Sequence, residues 1–181
     1  MTKEIIISGF GGQGIVSSGI ILAHAGLIED KHVTFFPSYG AEMRGGTANC
    51  SVVISSEPVA SPIVATPDVV IIMNEPSLAR FEMAVKPGGL LLYNQTLIKS
   101  KPKRKDITVI PIEANVLAEE LGQGRIANMV MLGVFAKKTD LLSLRTLKNA
   151  QRKRYKKAND EQLALNDKAL EKGYRLFGNS K

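Results

Sequence analysis

The sequence predicts an α/β protein with a Rossmann-like, mostly parallel sheet flanked by helices and with a helical C-terminal third. Unbroken apolar runs, such as residues 5–7 and 69–73, are typical of strands buried on both faces of a sheet. Patterns with helical spacing alternate with these runs, and only helical patterns follow residue 113. At 181 residues, the chain is expected to form one domain, with an α/β core over about 3–138 and C-terminal helices over about 140–178.

The elements are predicted in a simple order along the chain. They are a strand at 3–8, a glycine turn at 9–14, a helix at 15–28, strands at 32–36, 49–55 and 68–73, a short helix after Asn74, strands at 90–93 and 107–112, and helices at 113–121, 125–138, 142–155 and 161–177. The alternation of Cys50, Val52 and Ile54 with mostly polar residues predicts that the 49–55 strand is half-buried and lies near a sheet edge. Asp140 and Asn159 are expected to begin helices.

The composition is that of a soluble globular protein, with 44% hydrophobic and 23% charged residues. No apolar run is long enough to cross a bilayer, and no secretory signal pattern opens the chain. We therefore expect a cytoplasmic protein without a membrane partner. The single cysteine, Cys50, cannot form an internal disulfide or by itself provide the thiolates of an iron–sulfur cluster.

The net charge of +7 is concentrated in two segments, residues 99–105 and 145–157, which together hold 12 of the 24 basic residues. They indicate either an anion-attracting surface or two ordinary solvated faces. These two segments hold a single aromatic residue, Tyr155, and no known nucleic-acid-reading motif, so nucleic acid is not the expected partner.

The turn at residues 9–14, GFGGQG, matches the G-x-G-x-x-G pattern between a buried strand and a helix. Glycines in this context allow a tight turn and a close approach of backbone N–H groups to an anion. A dinucleotide site would also need an acidic residue at the end of the second strand, where residues 34–37 read TFFP. Dinucleotide binding is therefore the least favoured of three interpretations. The other two are that the turn binds a phosphate of another ligand, or that it packs against a partner chain.

A second polar loop, PSYGAEMRGGTAN at residues 37–49, follows the second strand. Arg44 can hold a carboxylate or phosphate in a bidentate manner, and Glu42 can orient it. Alternatively, Glu42 and Arg44 form an internal pair in a rigid loop that fills a subunit interface.

The sequence shows no catalytic group and no metal-ligand spacing. His24 is expected to be a packed or surface residue, and Cys50 a buried core thiol. Asn128, a polar residue within an apolar helix, is a candidate to cap or line the glycine turn. Two ligand- or partner-facing loops without a catalytic group suggest one subunit of a larger catalyst.

These motifs resemble the gamma subunit of 2-oxoacid:ferredoxin oxidoreductases. The resemblance rests on GFGGQG, on PSYGAEMRGGTANCSVVIS at 37–55, and on PDVVIIMNEPSL, PGGLLLYN and RIANMVMLG further along. It covers about residues 3–138 well and the C-terminal helices loosely, and it is closest to the 2-oxoglutarate branch.

The resemblance implies a complex that oxidatively decarboxylates a 2-oxoacid with coenzyme A, giving acyl-CoA, CO2 and reduced ferredoxin. It implies alpha and beta partner subunits, a ferredoxin-like delta subunit where one is present, and ferredoxin as the acceptor. Thiamine diphosphate, Mg²⁺ and an iron–sulfur cluster are expected on those other chains, and no cofactor is expected on this chain alone. The coenzyme A side of the site is the expected contact of this chain with the chemistry. The candidate cofactor-binding residues are Gly9, Gly11, Gly12, Gln13, Gly14, Ser38, Tyr39, Glu42, Arg44, Gly45 and Asn49.

Three alternatives stay open from the sequence. The chain could serve the pyruvate, branched-chain or indolepyruvate enzyme of the same family. It could instead be a stand-alone nucleotide- or CoA-binding module. When isolated, it could also pair with itself through the surface meant for its partners.

Overall fold

A computed structural model describes residues 1–39 and 46–178 of the chain. Its elements are β1 (Thr2–Phe10), α1 (Ile15–Ile28), β2 (His32–Tyr39), β3 (Thr47–Ser55), β4 (Val69–Ile72), α2 (Glu75–Phe81), β5 (Leu90–Asn94), β6 (Thr108–Ile112), α3 (Ala114–Glu119), α4 (Ala127–Thr139), α5 (Leu144–Arg154) and α6 (Asp160–Leu176). Short 3-10 turns at Glu82–Ala84 and Gly124–Ile126 continue α2 and precede α4.

The six described strands form one sheet in the order β2-β3-β1-β4-β5-β6. The pairs β1–β4, β4–β5 and β5–β6 are parallel, whereas β3 runs antiparallel to both of its neighbours. The predicted α/β class with a mostly parallel sheet is thus confirmed, with one reversed strand inserted between β2 and β1.

Each face of the sheet has its own hydrophobic core. Ile5 and Ile7 of β1 point to the face covered by α1, α4, α5 and α6, and Ile6 points to the face covered by α2. This arrangement explains why the isoleucine run at 5–7 is unbroken, because both faces of β1 are buried.

The expectation that residues 49–55 form a strand near a sheet edge is confirmed, because β3 lies beside the edge strand β2, but the expectation that this strand is half-buried is wrong. The strand β3 lies between β2 and β1, and Val53 on its second face joins the core that includes Val64 of the connection to β4. The hydroxyls that made the strand look amphipathic are themselves buried, and Ser55 Oγ lies 2.8 Å from Thr2 Oγ1. Small polar side chains with hydrogen-bond partners are compatible with a covered face.

The helices α4 and α6 pack backbone to backbone in the C-terminal third. A Cβ atom added at Gly133 would overlap the carbonyl oxygen of Leu170, and one added at Gly173 would overlap that of Val130. The two glycines therefore allow an approach that any side chain would prevent. This contact ties the last helix to α4, which itself packs on the sheet.

Candidate functional site

The glycine turn joins β1 to α1 at the carboxyl end of β1, and its glycines meet different needs. Gly9 is enclosed, since an added Cβ would lie 2.6 Å from Gln13 Oε1 and 2.8 Å from Met73 Cβ. Gly14 adopts a left-handed conformation with φ +75°, and its added Cβ would lie 2.5 Å from Asn128 Nδ2. In contrast, an added Cβ at Gly11 or Gly12 would meet nothing within 4 Å. The space beside the Cα atoms of Gly11 and Gly12 is thus open to a ligand or a partner, and of these two residues Gly11 already uses its N–H in a bond to the Gly46 carbonyl oxygen.

Gln13 braces the turn against the neighbouring parallel strand. Its Oε1 accepts a hydrogen bond from the Phe10 backbone N–H at 2.6 Å, and its Nε2 donates to the Met73 carbonyl oxygen at 3.1 Å. Both polar ends of the side chain are therefore engaged with the backbone. These two bonds connect the ends of β1 and β4, and cofactor binding by Gln13 stays a prediction.

The helix α1 begins directly after this turn and has no side-chain cap at its N-terminus. Gly14 occupies the N-cap position, and no acidic residue lies in the first turn. Helix N-termini carry partial positive charge and unpaired N–H groups, so an anion is stabilised there. Arg154 from the end of α5 adds a positive charge nearby, donating from Nη2 to Ser17 Oγ at 3.2 Å.

Asn128 supports the turn from beneath, as the sequence suggested. Its Nδ2 donates to Ser18 Oγ at 3.1 Å and to the Gly14 carbonyl oxygen at 3.4 Å. Ser18 Oγ donates to the same carbonyl at 2.9 Å. This buried polar group fixes the point at which the turn becomes helix.

The second predicted loop, at residues 37–49, follows the carboxyl end of β2, and the glycine turn follows the carboxyl end of β1. Both strand ends lie on the same side of the sheet, since Gly9 and Tyr39 both pair with Ala48 of β3. Backbone N–H of Gly11 donates to the carbonyl oxygen of Gly46 at 3.3 Å. The predicted residues Ser38 and Asn49 face each other in register on β2 and β3, and Tyr39 pairs with Ala48. The other predicted residues of this loop, Glu42, Arg44 and Gly45, lie outside the described residues, so their role stays a prediction.

A cleft of about 180 Å³ opens beside the glycine turn. It is lined by Gly12, Gln13, Met73, Asn115, Gly124, Arg125 and Ala127. The chain leaves β1 through α1 toward β2, and it leaves β4 through α2 toward β5, so the cleft lies where the direction of the connections reverses. Ligands of open α/β sheets characteristically bind at such a switch point, outside the carboxyl ends of the strands.

The sequence did not indicate Asn115 and Arg125, two side chains of this cleft, or Asn94, which orients Asn115. Buried Asn94, at the end of β5, donates from Nδ2 to Asn115 Oδ1 at 2.7 Å. That bond leaves the Asn115 amide N–H groups as donors at the cleft wall, beside the exposed guanidinium of Arg125. The available signal was an asparagine directly after a buried strand, a position where α/β proteins place functional groups.

The described residues contain no group of three or more His, Cys, Asp or Glu side chains placed to hold a metal ion. Burial raises the pKa of the Cys50 thiol to about 12, which keeps it protonated and unreactive. Partial burial, followed by the charges of Lys153, Lys156 and Arg154, lowers the pKa of His24.

The cleft offers hydrogen-bond donors and positive charge, which suit binding of an anion. In the part of the chain that the structure describes, no helix is both long and apolar enough to span a bilayer.

Comparison with known proteins places the chain in a family. The model of the pyruvate ferredoxin/flavodoxin oxidoreductase family matches residues 4–176. Ketoisovalerate oxidoreductase subunit VorA of Methanothermobacter marburgensis is 47% identical over 131 residues, which are 72% of this chain and 27% of VorA. The 2-oxoglutarate synthase subunit KorC of Methanocaldococcus jannaschii is 35% identical over 179 residues, which are 97% of this chain and 94% of KorC.

A solved structure extends the similarity to three dimensions. The 2-oxoglutarate:ferredoxin oxidoreductase of Magnetococcus marinus, with 2-oxoglutarate, coenzyme A and succinyl-CoA bound, superposes with a TM-score of 0.88 at 30% identity. The superposition covers 97% of this chain and 31% of that one. The chain thus spans about a quarter of VorA and a third of the Magnetococcus chain, but nearly all of KorC. It belongs to the pyruvate ferredoxin/flavodoxin oxidoreductase family and is of the gamma-subunit type that its motifs indicate.

Proposed function

We propose that this chain works as the gamma subunit of a complex that oxidises a 2-oxoacid with coenzyme A, giving acyl-CoA, CO2 and reduced ferredoxin. Support comes from KorC, whose length this chain matches almost completely, and from the solved oxidoreductase with coenzyme A bound. In this proposal the alpha and beta chains hold thiamine diphosphate and Mg²⁺. The iron–sulfur cluster also lies outside this chain, because its single cysteine cannot ligate a cluster.

Within such a complex, we assign the phosphates of coenzyme A to the cleft beside the glycine turn. The observation that carries this assignment is the set of groups lining the cleft: the backbone at Gly12, the Asn115 amide and the exposed Arg125. The uncapped start of α1 follows Gly12 in the chain by two residues. These groups donate hydrogen bonds or carry positive charge, as phosphate oxygens require. The residues supply binding and orientation, and the bond-breaking steps belong to the partner chains.

Replacement of Arg125 tests this assignment in the assembled complex. A charge-assisted hydrogen bond contributes about 1.5–3 kcal/mol, so Arg125→Ala is expected to raise the KM for coenzyme A by about tenfold or more. The KM for the oxoacid should stay unchanged. Arg145→Ala, at the exposed start of α5, is the matched control. An unchanged KM for coenzyme A in Arg125→Ala would remove the cleft as the phosphate site.

The preferred substrate is proposed to be 2-oxoglutarate. KorC supports it over the whole chain, whereas VorA is more identical over a shorter stretch and acts on ketoisovalerate by its name. The test is the ratio of kcat/KM for 2-oxoglutarate, ketoisovalerate and pyruvate in a complex purified through this chain. Preference for ketoisovalerate or pyruvate would correct the substrate and keep the family. Purification as a free chain carrying its own nucleotide would instead favour a stand-alone binding module.

A further inference from the structure

The basic segment at residues 99–105, called the lysine loop below, lies on the α2 side of the sheet, opposite α1 and the C-terminal helices. Two carboxylates of the α2 segment hold its backbone. Buried Glu82 accepts hydrogen bonds on Oε1 from the N–H groups of Lys103 and, at 2.8 Å, Arg104. Glu75 Oε2 accepts from the N–H of Lys99 at 2.8 Å. Both ends of the loop are thus fixed, because the carboxylates of Glu75 and Glu82 accept hydrogen bonds from its backbone N–H groups.

Arg104 fixes the loop from its own side chain. Its Nε and Nη2 contact the two carboxylate oxygens of Asp106 at 2.6 Å each. Its Nη1 donates to the carbonyl oxygens of Val85 and Met83 at 3.0 and 3.2 Å, at the end of the α2 segment. The paired guanidinium lowers the pKa of Asp106 from its usual value. Both ionic groups of this pair are therefore used to hold the loop in shape.

Three further lysines of the loop are exposed and have no acidic partner among the described residues. Lys101, Lys103 and Lys105 are exposed, and no carboxylate of the described residues lies within ion-pair distance of their ammonium groups. The neighbouring acids, Glu75, Glu82 and Asp106, are those already used in holding the backbone and Arg104. The surface is consequently a preformed array of unneutralised positive charge.

Two exposed apolar side chains accompany these lysines. Met83 is 72% exposed beside the carbonyls that hold Arg104, and Leu97 is 44% exposed two residues before Lys99. Apolar anchors within a charged rim are typical of protein–protein contacts, whereas single-stranded nucleic acid binds to aromatic stacking platforms. Three unpaired lysines and only two exposed apolar side chains favour a small, reversible contact over a permanent subunit interface, because permanent interfaces are larger and more apolar.

We propose that the lysine loop, with Met83 and Leu97, is a reversible docking site for a small acidic protein, the electron acceptor of the complex. This inference rests on the proposed function. The fixed backbone limits the entropy lost on binding, and the lysines accelerate encounter with a carboxylate-rich face.

The test uses the assembled complex, purified ferredoxin and, as an acceptor that needs no protein docking, methyl viologen. The triple variant Lys101→Glu, Lys103→Glu, Lys105→Glu should raise the KM for ferredoxin by about tenfold at low salt and less at high salt, where charges are screened. Its rate with methyl viologen should equal that of the wild type. Met83→Ser should also raise the KM for ferredoxin, because it removes an anchor without changing the charge.

The matched control is Lys153→Glu, Lys156→Glu, Lys157→Glu, which changes the net charge equally on the exposed end of the α5 segment. An unchanged KM for ferredoxin in the loop variant would overturn the proposal, and so would an equal rise in the control. Failure of the loop variant to co-purify with its sister chains would also overturn it, by showing a permanent interface. Absence of oxoacid-dependent activity with either acceptor in the wild type would instead refute the proposed function.

Discussion

At the scale of single residues, two glycines of the same turn have separable roles. Gly14 needs glycine for its backbone, with φ +75°, whereas Gly11 has open space where a side chain would be. We expect Gly14→Ala to lower the free energy of unfolding by about 1–3 kcal/mol, the cost of left-handed backbone in a residue with a Cβ. Gly11→Ala should change it little. Urea unfolding of the two variants measures this difference, and equal losses would contradict the separation of roles.

The buried thiol of Cys50 makes stability depend on pH in the alkaline range. Burial raises its pKa to about 12, whereas the unfolded thiol ionises near about pH 8.5. Because the folded state holds this proton more tightly, its contribution is complete below the unfolded pKa and is lost as the pH rises toward the folded pKa. We expect the difference in unfolding free energy between wild type and Cys50→Ala to shrink by about 1 kcal/mol per unit above about pH 9. Urea unfolding of both proteins at several pH values measures it, and a pH-independent difference would show that the thiol is not shielded.

The residues that could be predicted from sequence are those with a local signature. Asn128 stood out as polar within an apolar helix, and it does contact the glycine turn. Asn94 and Asn115 could not be paired in advance, because they come together only when β5 and α3 meet at the carboxyl edge of the sheet. Arg125 lines the same cleft because of the position of the 3-10 turn Gly124–Ile126, and no local sequence pattern predicts that position.

At the scale of elements, the contact between α4 and α6 depends on glycine. We expect Gly173→Ala to destabilise the protein by about 1–3 kcal/mol, because the new methyl group would overlap the carbonyl of Val130. Helix propensity alone predicts the opposite sign, a gain of about 0.5–1 kcal/mol. Thermal unfolding decides between them, with the exposed Ala164→Ser on α6 as a control for substitution in the same helix. A stabilised Gly173→Ala would mean that the helices separate without cost.

Element boundaries followed from sequence where the signal was local. The helix α1 was predicted at its observed bounds, and Asn159 caps α6 through a 2.8 Å bond from the Gln162 N–H. Asp140 was expected to begin a helix, but it ends α4 in a left-handed conformation, and Ser143 caps α5 instead. Asp is compatible with both positions, and the choice depends on how the connection turns. The burial of both faces of β3 could not be predicted, because it depends on which segments cover the strand.

At the scale of the whole molecule, the C-terminal helices share one core with the sheet. Leu147 of α5 and Leu170 of α6 are fully buried in the cluster that also contains Ile5 and Ile7. We therefore expect a single unfolding transition by calorimetry, with equal calorimetric and van't Hoff enthalpies. A chain ending at Asp140 should lose that transition, because it would expose the face of α4 that α6 covers. Two separate transitions in the intact chain would show that the C-terminal helices fold independently.

The way in which the lysine loop is held has a consequence for how this surface can change over generations. Its shape depends on Glu75, Glu82, Arg104 and Asp106, whereas its charge depends on lysines that make no contact needed for that shape. Substitutions at 101, 103 and 105 can therefore alter the strength or sign of the surface with little effect on stability. The surface can therefore adapt to a different partner through single substitutions, each of which leaves the protein folded.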